Sequence, residues 1–414
     1  MTGFLRRQHE WTCDGQPLSA IARTFGTPTH VYSGALLTAR YRAYDAAFAG
    51  IPHRVHYAIK ANATTAIVRH MRGLGSAADV NSGGELEVAL RAGFAPSDIV
   101  FTGVGKTHDE LERAVALGLA AINAESMGEV DRIAAIARTQ GRQAHVAVRI
   151  NPDVDAGSHP HISTGSRITK FGVSLEEARH MVTTMASKPS LKVVGLHVHI
   201  GSQITSAEPL AKGAAVVADL ARQLLADGVP LQHLDVGGGL GIEYQDNQAV
   251  VPPDVYAAAL TPIVRATGLT LVLEPGRWLV GPAGALIAQV VDLKQRLDGK
   301  WFVIVDAGMT DLMRPALYGA FHRIEPVTPR TGDPILADIV GPVCETADTL
   351  GAGRTLAPVE VGDLMMIRDT GAYGAVMASN YNRRPTAAEV LIDDGVPRLI
   401  RRRQTVDDIL QWDL

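Results

Sequence analysis

The sequence predicts an α/β protein with a closed (β/α)8 barrel and a second, mainly antiparallel β domain. Within residues 33–280, about eight short apolar runs alternate with amphipathic stretches, which is typical of parallel strands joined by helical crossovers. No G-x-G-x-x-G motif follows the first strand, so the pattern favours a closed barrel over an open nucleotide-binding sheet. After residue 280 the helical periods give way to short β-rich runs separated by turn residues.

The barrel strands are predicted from apolar runs that are bounded by turn residues. Between these runs, segments such as GGELEVALRAG and THDELERAVALG place apolar residues three and four positions apart, as amphipathic helices do. We expect the first 30 or so residues, which end in THVYS, to add strands to the second domain. The predicted barrel strands lie at residues 53–59, 77–80, 98–101, 119–122, 144–150, 191–200, 232–236 and 269–274.

The net charge and the hydrophobic content limit the classes of binding partner that we expect for this chain. The 414 residues carry a formal net charge of only −4, so neither nucleic acid nor an anionic membrane surface is expected as a partner. Hydrophobic residues make up 46% of the chain, which supports a substantial core. The expected partners are small molecules or another protein chain.

Cysteine use and the first residues predict a cytoplasmic enzyme. The two cysteines, Cys13 and Cys344, are too few for a disulfide framework and suit a reducing compartment. The opening MTGFLRRQHEW lacks the apolar core of a signal peptide, and no run approaches the length of a membrane span.

Lys60 stands at the end of the first predicted barrel strand. In the stretch VHYAIKANAT, residues 55–64, a run with strand character leads directly to this lysine. Catalytic groups of (β/α)8 barrels lie at the carboxyl ends of the strands. A lone lysine there is more often a solvated charge, so a nucleophilic role depends on complementary groups at other strand ends.

Later strand ends carry such groups. The sixth strand ends in HVHIGSQ, with His197 and His199 in phase and Ser202 after a glycine turn. The seventh ends in DVGGGLG, whose glycines let backbone N–H groups approach an anion, and the eighth ends in EPGRW, with Glu274 and Arg277. Each motif alone has an ordinary explanation as a core histidine, a turn or a capped loop. Together they predict an aromatic platform, an anion site, an acid and an amine at one face.

This set of groups suits pyridoxal phosphate. The cofactor needs a lysine for its Schiff base, a charged partner for its ring nitrogen and an anion site for its phosphate. The competing interpretation is a metal site at His197 and His199, two positions apart on one strand face. No third ligand is obvious in the sequence, and the neighbouring glycine-rich loops fit a phosphate better, so no metal is predicted.

The chain also resembles a known family, in ordered blocks over nearly its whole length. YAIKAN, SGGELEVALRAG, HVHIGSQ, DVGGGLG and EPGR are similar to motifs of the fold-type III pyridoxal-phosphate decarboxylases, and MRPALYGAFH and STG…KFG resemble those of diaminopimelate decarboxylases in particular. The resemblance implies a cofactor-binding barrel at residues 33–280 and a β-sandwich built from residues 1–32 and 281–414. It also implies a homodimer whose active sites are shared between chains.

The resemblance implies the residues that bind the cofactor. Lys60 would form the Schiff base, Glu274 would pair with the pyridinium nitrogen, and His199 would stack on the ring. Tyr373 would approach the cofactor as well. The phosphate would be held by Ser202, the loop of Gly237, Gly238 and Gly239, and the turn of Gly276 and Arg277.

Roles toward an amino-acid substrate follow in the same way. Arg277, Arg314 and Tyr318 would receive the distal carboxylate, and Glu345 the distal ammonium group. Cys344 would donate the proton that replaces the lost carboxylate, and Tyr373 would line the substrate site. Part of this set is expected from the partner chain. Without the resemblance, a surface or interface salt bridge is the better interpretation of Arg314 and Glu345.

The expected function is decarboxylation of meso-2,6-diaminopimelate at its D-centre to L-lysine and CO2, the last step of lysine biosynthesis. A carboxylate at Glu274 suits decarboxylation because a protonated pyridine accepts the electrons left on Cα. The alternatives are a decarboxylase of ornithine, lysine or arginine, which the MRPALY block argues against, and a catalytically silent homologue. The intact Lys60, Glu274 and Cys344 argue against the silent homologue.

Overall fold

The computed structural model describes residues 3–154 and 170–413, which form two compact units. One unit comprises Tyr41–Ile242 and Ala249–Trp278. The other combines the stretch up to Arg40 with Glu243–Gln248 and with the chain from Leu279 onwards. The domain limits expected from the sequence, residues 33–280 for the barrel and 1–32 with 281–414 for the second domain, stay a prediction.

The chain begins with short strands and two helices. These are β1 (Phe4–Arg7), β2 (Glu10–Cys13), β3 (Gln16–Pro17), α1 (Leu18–Phe25), β4 (Thr29–Ser33) and α2 (Gly34–Ala47). Strands β1 to β3 form a three-stranded antiparallel sheet.

Eight parallel strands then close into a barrel, as predicted. The strands are β5 (His53–Ala58), β6 (Ala77–Val80), β7 (Ile99–Phe101), β8 (Ala121–Ala124), β9 (Ala144–Ile150), β10 (Leu191–Val198), β11 (His233–Asp235) and β12 (Thr270–Leu273). Seven helices accompany them among the described residues: α3 (Thr65–Gly73), α4 (Gly83–Ala92), α5 (His108–Leu117), α6 (Met127–Thr139), α7 (Leu175–Ala186), α8 (Ala207–Ala226) and α9 (Pro253–Arg265). Short 3-10 helices cover Ile59–Ala61 and Pro96–Asp98.

Capping side chains mark the N-termini of several of these helices. At α5, the hydroxyl of Thr107 accepts from the N–H of Glu110, while the Glu110 carboxylate accepts from the N–H of Thr107. Ser174 and Glu177 repeat this reciprocal cap at α7. Because the first N–H groups of a helix have no partner inside it, such caps mark where the crossover helices begin.

The second unit is built on a mixed β-sheet. Its elements are α10 (Arg277–Val280, which begins in the barrel unit), β13 (Gly284–Gln295), β14 (Trp301–Val305), α11 (Arg314–Tyr318), β15 (Ile324–Pro326), β16 (Ile335–Val340), β17 (Thr349–Leu356), β18 (Leu364–Ile367), β19 (Ala388–Asp393), β20 (Val396–Arg401) and α12 (Val406–Leu410). Ala375–Met377 and Tyr381–Arg383 form 3-10 helices. The strand order is β17-β16-β14-β13-β4-β19-β20. Two of its pairs, β14 with β16 and β4 with β19, are parallel and the other pairs are antiparallel, so the sheet is mixed but mainly antiparallel.

Strand β13 organises two hydrophobic cores of this unit. Because side chains alternate across a strand, Leu286 and Ala288 pack into one core with β14 and β16, while Ala285 and Ile287 pack into the other with α1 and β4. No described helix is long and apolar enough to cross a bilayer.

Candidate active site

Lys60 lies in the 3-10 turn that directly follows β5. Its Nζ is 3.7 Å from Oδ2 of Asp79 on β6; the lysine side chain is one-third exposed and the aspartate side chain is fully buried. Burial raises the pKa of Asp79 and the charge of Glu274 raises it further, against the opposing effect of Lys60. The amine at the end of β5, the first barrel strand, therefore lies beside buried acidic groups of the barrel rather than in open solvent.

Glu274 follows β12 and is buried beside His197 of β10. The His197 Nε2 and the Glu274 Oε2 are 3.3 Å apart, and both side chains are almost fully buried. Burial alone raises the pKa of Glu274, but the contacts with His197 and the charge of Lys60 outweigh it and bring the pKa well below its usual range. Glu274 is therefore a carboxylate at neutral pH, held at the carboxyl end of the barrel.

His199 lies two residues beyond His197 and is half-buried. Its Nδ1 accepts a hydrogen bond from the N–H of Gly238 at 3.2 Å, so the ring carries its proton on Nε2. Desolvation and the charges of Lys60 and Arg149 hold the pKa of His199 well below its usual range. A neutral imidazole of this kind offers a flat, uncharged ring face.

The Gly237–Gly239 loop is made of glycine because other chain segments approach it closely. Gly237 has φ +67°, and a Cβ at Gly238 would lie 2.3 Å from the carbonyl oxygen of Glu274. The N–H groups of Gly237 and Gly238 donate to Asp235 and His199. Their role in the structure is therefore close packing of the strand ends, and a contact of this loop with a phosphate stays a prediction.

Ser202 and Arg277, two residues of the predicted anion site, contact each other, and their role toward a phosphate stays a prediction. The Arg277 guanidinium donates to the Ser202 hydroxyl from Nη2 at 2.9 Å and from Nε at 3.3 Å, and Arg277 is buried. Gly276 packs closely as well, since a Cβ there would lie 2.9 Å from the Cβ of Ala61, next to Lys60. The EPGR segment, residues 274–277, therefore lies close to the residues that follow β5 and β10.

The possible metal ligands are grouped differently from the sequence interpretation. His197 lies with Asp235 and Glu274, and their ligand atoms are all within 4.8 Å of one another. This group does not include His199, which the sequence interpretation had paired with His197. Burial and the charge of Glu274 raise the pKa of Asp235 well above its usual value. The expectation of no bound metal stays a prediction.

The barrel groups together fit pyridoxal phosphate. Lys60 supplies an amine, Glu274 a buried carboxylate with a lowered pKa, and His199 a neutral ring. Arg277 and Ser202 add a buried cation and a hydroxyl for an anion. These are the functional groups that the cofactor's aldehyde, ring nitrogen, ring face and phosphate require.

In the second unit, Arg314 begins the short helix α11 and is buried. Its Nη1 is 2.6 Å from Nε2 of His322, and its guanidinium carbon lies 4.4 Å from the centre of the Tyr244 ring. Tyr318 stands on the same helix and is half-buried. Tyr373 has φ +56°, an uncommon backbone conformation for a bulky residue.

Cys344 and Glu345 are exposed on the loop between β16 and β17. The N–H of Cys344 donates to Oδ1 of Asn382 at 2.9 Å, and Asn382 itself has φ +54°. The carboxylate of Asp348 accepts from the N–H of Val343 at 2.7 Å. Two polar side chains therefore hold this loop in place.

Several of these supporting residues were missing from the sequence interpretation. Asp79 lies inside the short strand β6 and Asp235 is the last residue of β11, and an acid within a predicted strand was the available signal for them. Nothing local marks Asn382 as a partner of Cys344, 38 positions earlier. The STG part of the STG…KFG block lies outside the described residues.

Comparison with known proteins places these features in a family context. Residues 35–281 match the model described as pyridoxal-dependent decarboxylase, pyridoxal binding domain. The chain is 48% identical to the diaminopimelate decarboxylase of Neisseria meningitidis serogroup A, over 95% of this chain and 97% of that protein. It is 45% identical to the Pseudomonas aeruginosa diaminopimelate decarboxylase, over 99% and 98%. It is also similar to the crystal structure of the Helicobacter pylori diaminopimelate decarboxylase complexed with L-lysine, with TM-score 0.92, 40% identity, and coverage of 95% and 98%.

Proposed function

This chain belongs to the diaminopimelate decarboxylase family and converts diaminopimelate to lysine with pyridoxal phosphate, and we propose that Lys60 attaches the cofactor. The proposed substrate is the meso isomer. Its decarboxylation at the D-centre would give L-lysine and CO2 as the last step of lysine biosynthesis. The observation that carries the proposal is the convergence of Lys60, Glu274 and His199 at the carboxyl ends of the barrel strands.

The barrel residues have distinct proposed tasks. When bound, pyridoxal phosphate supplies a conjugated ring that accepts the electron pair left on Cα as CO2 departs. Glu274, already ionised, would hold a proton on the ring nitrogen, and His199 would lie against the ring face. Arg277 and Ser202 would bind the phosphate together with Gly276 and the Gly237–Gly239 loop.

Recognition of the substrate's far end is assigned to Arg277 and to residues of the second unit. Arg314, with Tyr318 and Arg277, would bind the distal carboxylate, and Glu345 would bind the distal ammonium group. A guanidinium suits this task because its planar set of donors matches a carboxylate. Cys344 would protonate Cα after CO2 has left, with Tyr373 beside the cofactor.

The substrate assignment is tested by CO2 release from a panel of diamino acids. We expect the holoenzyme to release CO2 from meso-diaminopimelate much faster than from lysine, ornithine or arginine, because only diaminopimelate has a second carboxylate for Arg314. Initial rates at several substrate concentrations give kcat/KM for each compound. A preference for ornithine, lysine or arginine would instead support a decarboxylase of another basic amino acid.

We further propose a homodimer in which Cys344 and Glu345 complete the active site of the partner chain. Their exposure on the β16–β17 loop suits residues that function against another surface.

The compartment we propose is the cytoplasm, because Cys13 and Cys344 are both free cysteines.

Mixing inactive variants tests the shared site. Lys60→Ala and Cys344→Ala subunits, each inactive alone, should regain activity together because half of the dimers become hybrids with one intact site of two. Full exchange of equal amounts predicts about a quarter of the wild-type rate. The control mixes Lys60→Ala with a second barrel variant, Glu274→Ala, which cannot complement it. If exchange is demonstrated and no activity returns, each chain completes its own site.

A further inference from the structure

His322 has no role in the site described so far, although it touches the residue assigned to the substrate's distal carboxylate. It is fully buried, two residues before the start of β15. Its Nδ1 is 2.8 Å from the carbonyl oxygen of Arg368, which immediately follows β18, and its Nε2 is 2.6 Å from Nη1 of Arg314. Strands β15 and β18 pair with each other in antiparallel orientation, and the imidazole connects this pair to the helix α11.

The chemistry of the two contacts determines which ring nitrogen carries the proton. A carbonyl oxygen can only accept, so Nδ1 of His322 must donate its N–H to Arg368. The guanidinium of Arg314 can only donate, so Nε2 must be an unprotonated acceptor. Both contacts are satisfied together only by the neutral tautomer with its proton on Nδ1.

Arg314 depends on such contacts for its orientation. Helix α11 has only five residues, and so short a helix has little stability of its own. His322 fixes one edge of the guanidinium, and the Tyr244 ring lies 4.4 Å from its central carbon. Tyr244 and His322 also contact each other edge to face, with ring centres 5.2 Å apart.

We propose that His322 is a positioning residue for substrate specificity: as the Nδ1–H tautomer it orients the Arg314 guanidinium to receive the distal carboxylate. The proposal rests on the function proposed for Arg314. A bidentate contact with a carboxylate depends on the plane of the guanidinium, so an anchored arginine discriminates better than a rotating one.

Two variants separate the two hydrogen bonds of His322. Asparagine places an amide near the Nδ1 position and can keep the bond to Arg368, but it loses the acceptor for Arg314. Glutamine extends an acceptor toward the Nε2 position and can keep the bond to Arg314. His322→Asn should raise KM for diaminopimelate roughly tenfold with a smaller change in kcat, whereas His322→Gln should stay within about threefold of wild type.

A double-mutant cycle shows whether the effect passes through Arg314. In an Arg314→Ala background, His322→Asn should change kcat/KM by less than about twofold. Equal losses in both backgrounds would overturn the positioning role while leaving that of Arg314 intact, provided that Arg314→Ala alone impairs turnover. Unchanged turnover in Arg314→Ala itself would overturn the proposed function of Arg314 and this inference with it.

A measurement on the unmodified protein covers the case in which a buried substitution prevents folding. Nitrogen NMR of the histidine-labelled holoenzyme, with the His322 signal assigned by comparison with the His322→Gln spectrum or by site-specific labelling, should show a protonated Nδ1 and an unprotonated Nε2. A doubly protonated ring, or a proton on Nε2, would overturn the proposal because neither can accept from Arg314.

Discussion

Lys60→Ala is expected to abolish diaminopimelate decarboxylation and the covalent attachment of pyridoxal phosphate. The amine beside Asp79 is the proposed attachment point, and alanine leaves nothing there to form a covalent bond. We expect kcat to fall by on the order of a thousandfold or more, because losing a residue that acts covalently costs several decades. Borohydride treatment followed by mass spectrometry should locate the cofactor on Lys60 in the wild type only.

Two control variants separate covalent chemistry from charge. Lys60→Arg keeps a cation near Asp79 without a nucleophilic amine, so it should be about as inactive as Lys60→Ala. Lys212→Ala, on helix α8, should leave activity and labelling unchanged. Substantial turnover in Lys60→Arg would mean that the lysine acts through its charge, and labelling at another lysine would move the attachment point.

Arg314→Ala should lower kcat/KM for diaminopimelate by roughly one and a half to three and a half decades. Removing one partner of a buried, hydrogen-bonded charge pair costs about 2–5 kcal/mol, and about 1.4 kcal/mol corresponds to one decade. Lysine lacks the distal carboxylate, so its slow turnover should change much less. The test is therefore to measure kcat/KM for diaminopimelate and for lysine with both the wild-type enzyme and Arg314→Ala.

The interpretation of Arg314→Ala depends on a matched arginine. Arg330 is exposed and pairs with Asp363, so Arg330→Ala should alter neither substrate. Equal losses for diaminopimelate and lysine in Arg314→Ala would indicate a role in folding or assembly. An unchanged diaminopimelate rate would remove Arg314 from the substrate site.

The barrel could be predicted strand by strand because each strand is a short apolar run bounded by turn residues. The predicted run at residues 144–150 coincides with β9, and the predicted 119–122 is shifted by two residues from β8. The shift has a physical reason: Leu119 and Ala120 are apolar and buried or half-buried like the strand that follows, so burial alone does not reveal where strand pairing starts. The parallel pair β14–β16 was not predictable, because pairing direction leaves no local signal in short runs.

The sequence by itself determined the barrel strands, the family and the residue types at the strand ends, since these depend on local pattern and ordered motifs. Only the tertiary structure decided which groups share a site and in which protonation state. Barrel closure brings Thr102 to 3.4 Å from Glu274, although 172 positions separate them, and buries Glu274 against His197. The pKa of Asp79 rises because burial removes water and places it near another carboxylate. Arg314 likewise owes its orientation to His322 and to the carbonyl of Arg368, contacts that arise from packing.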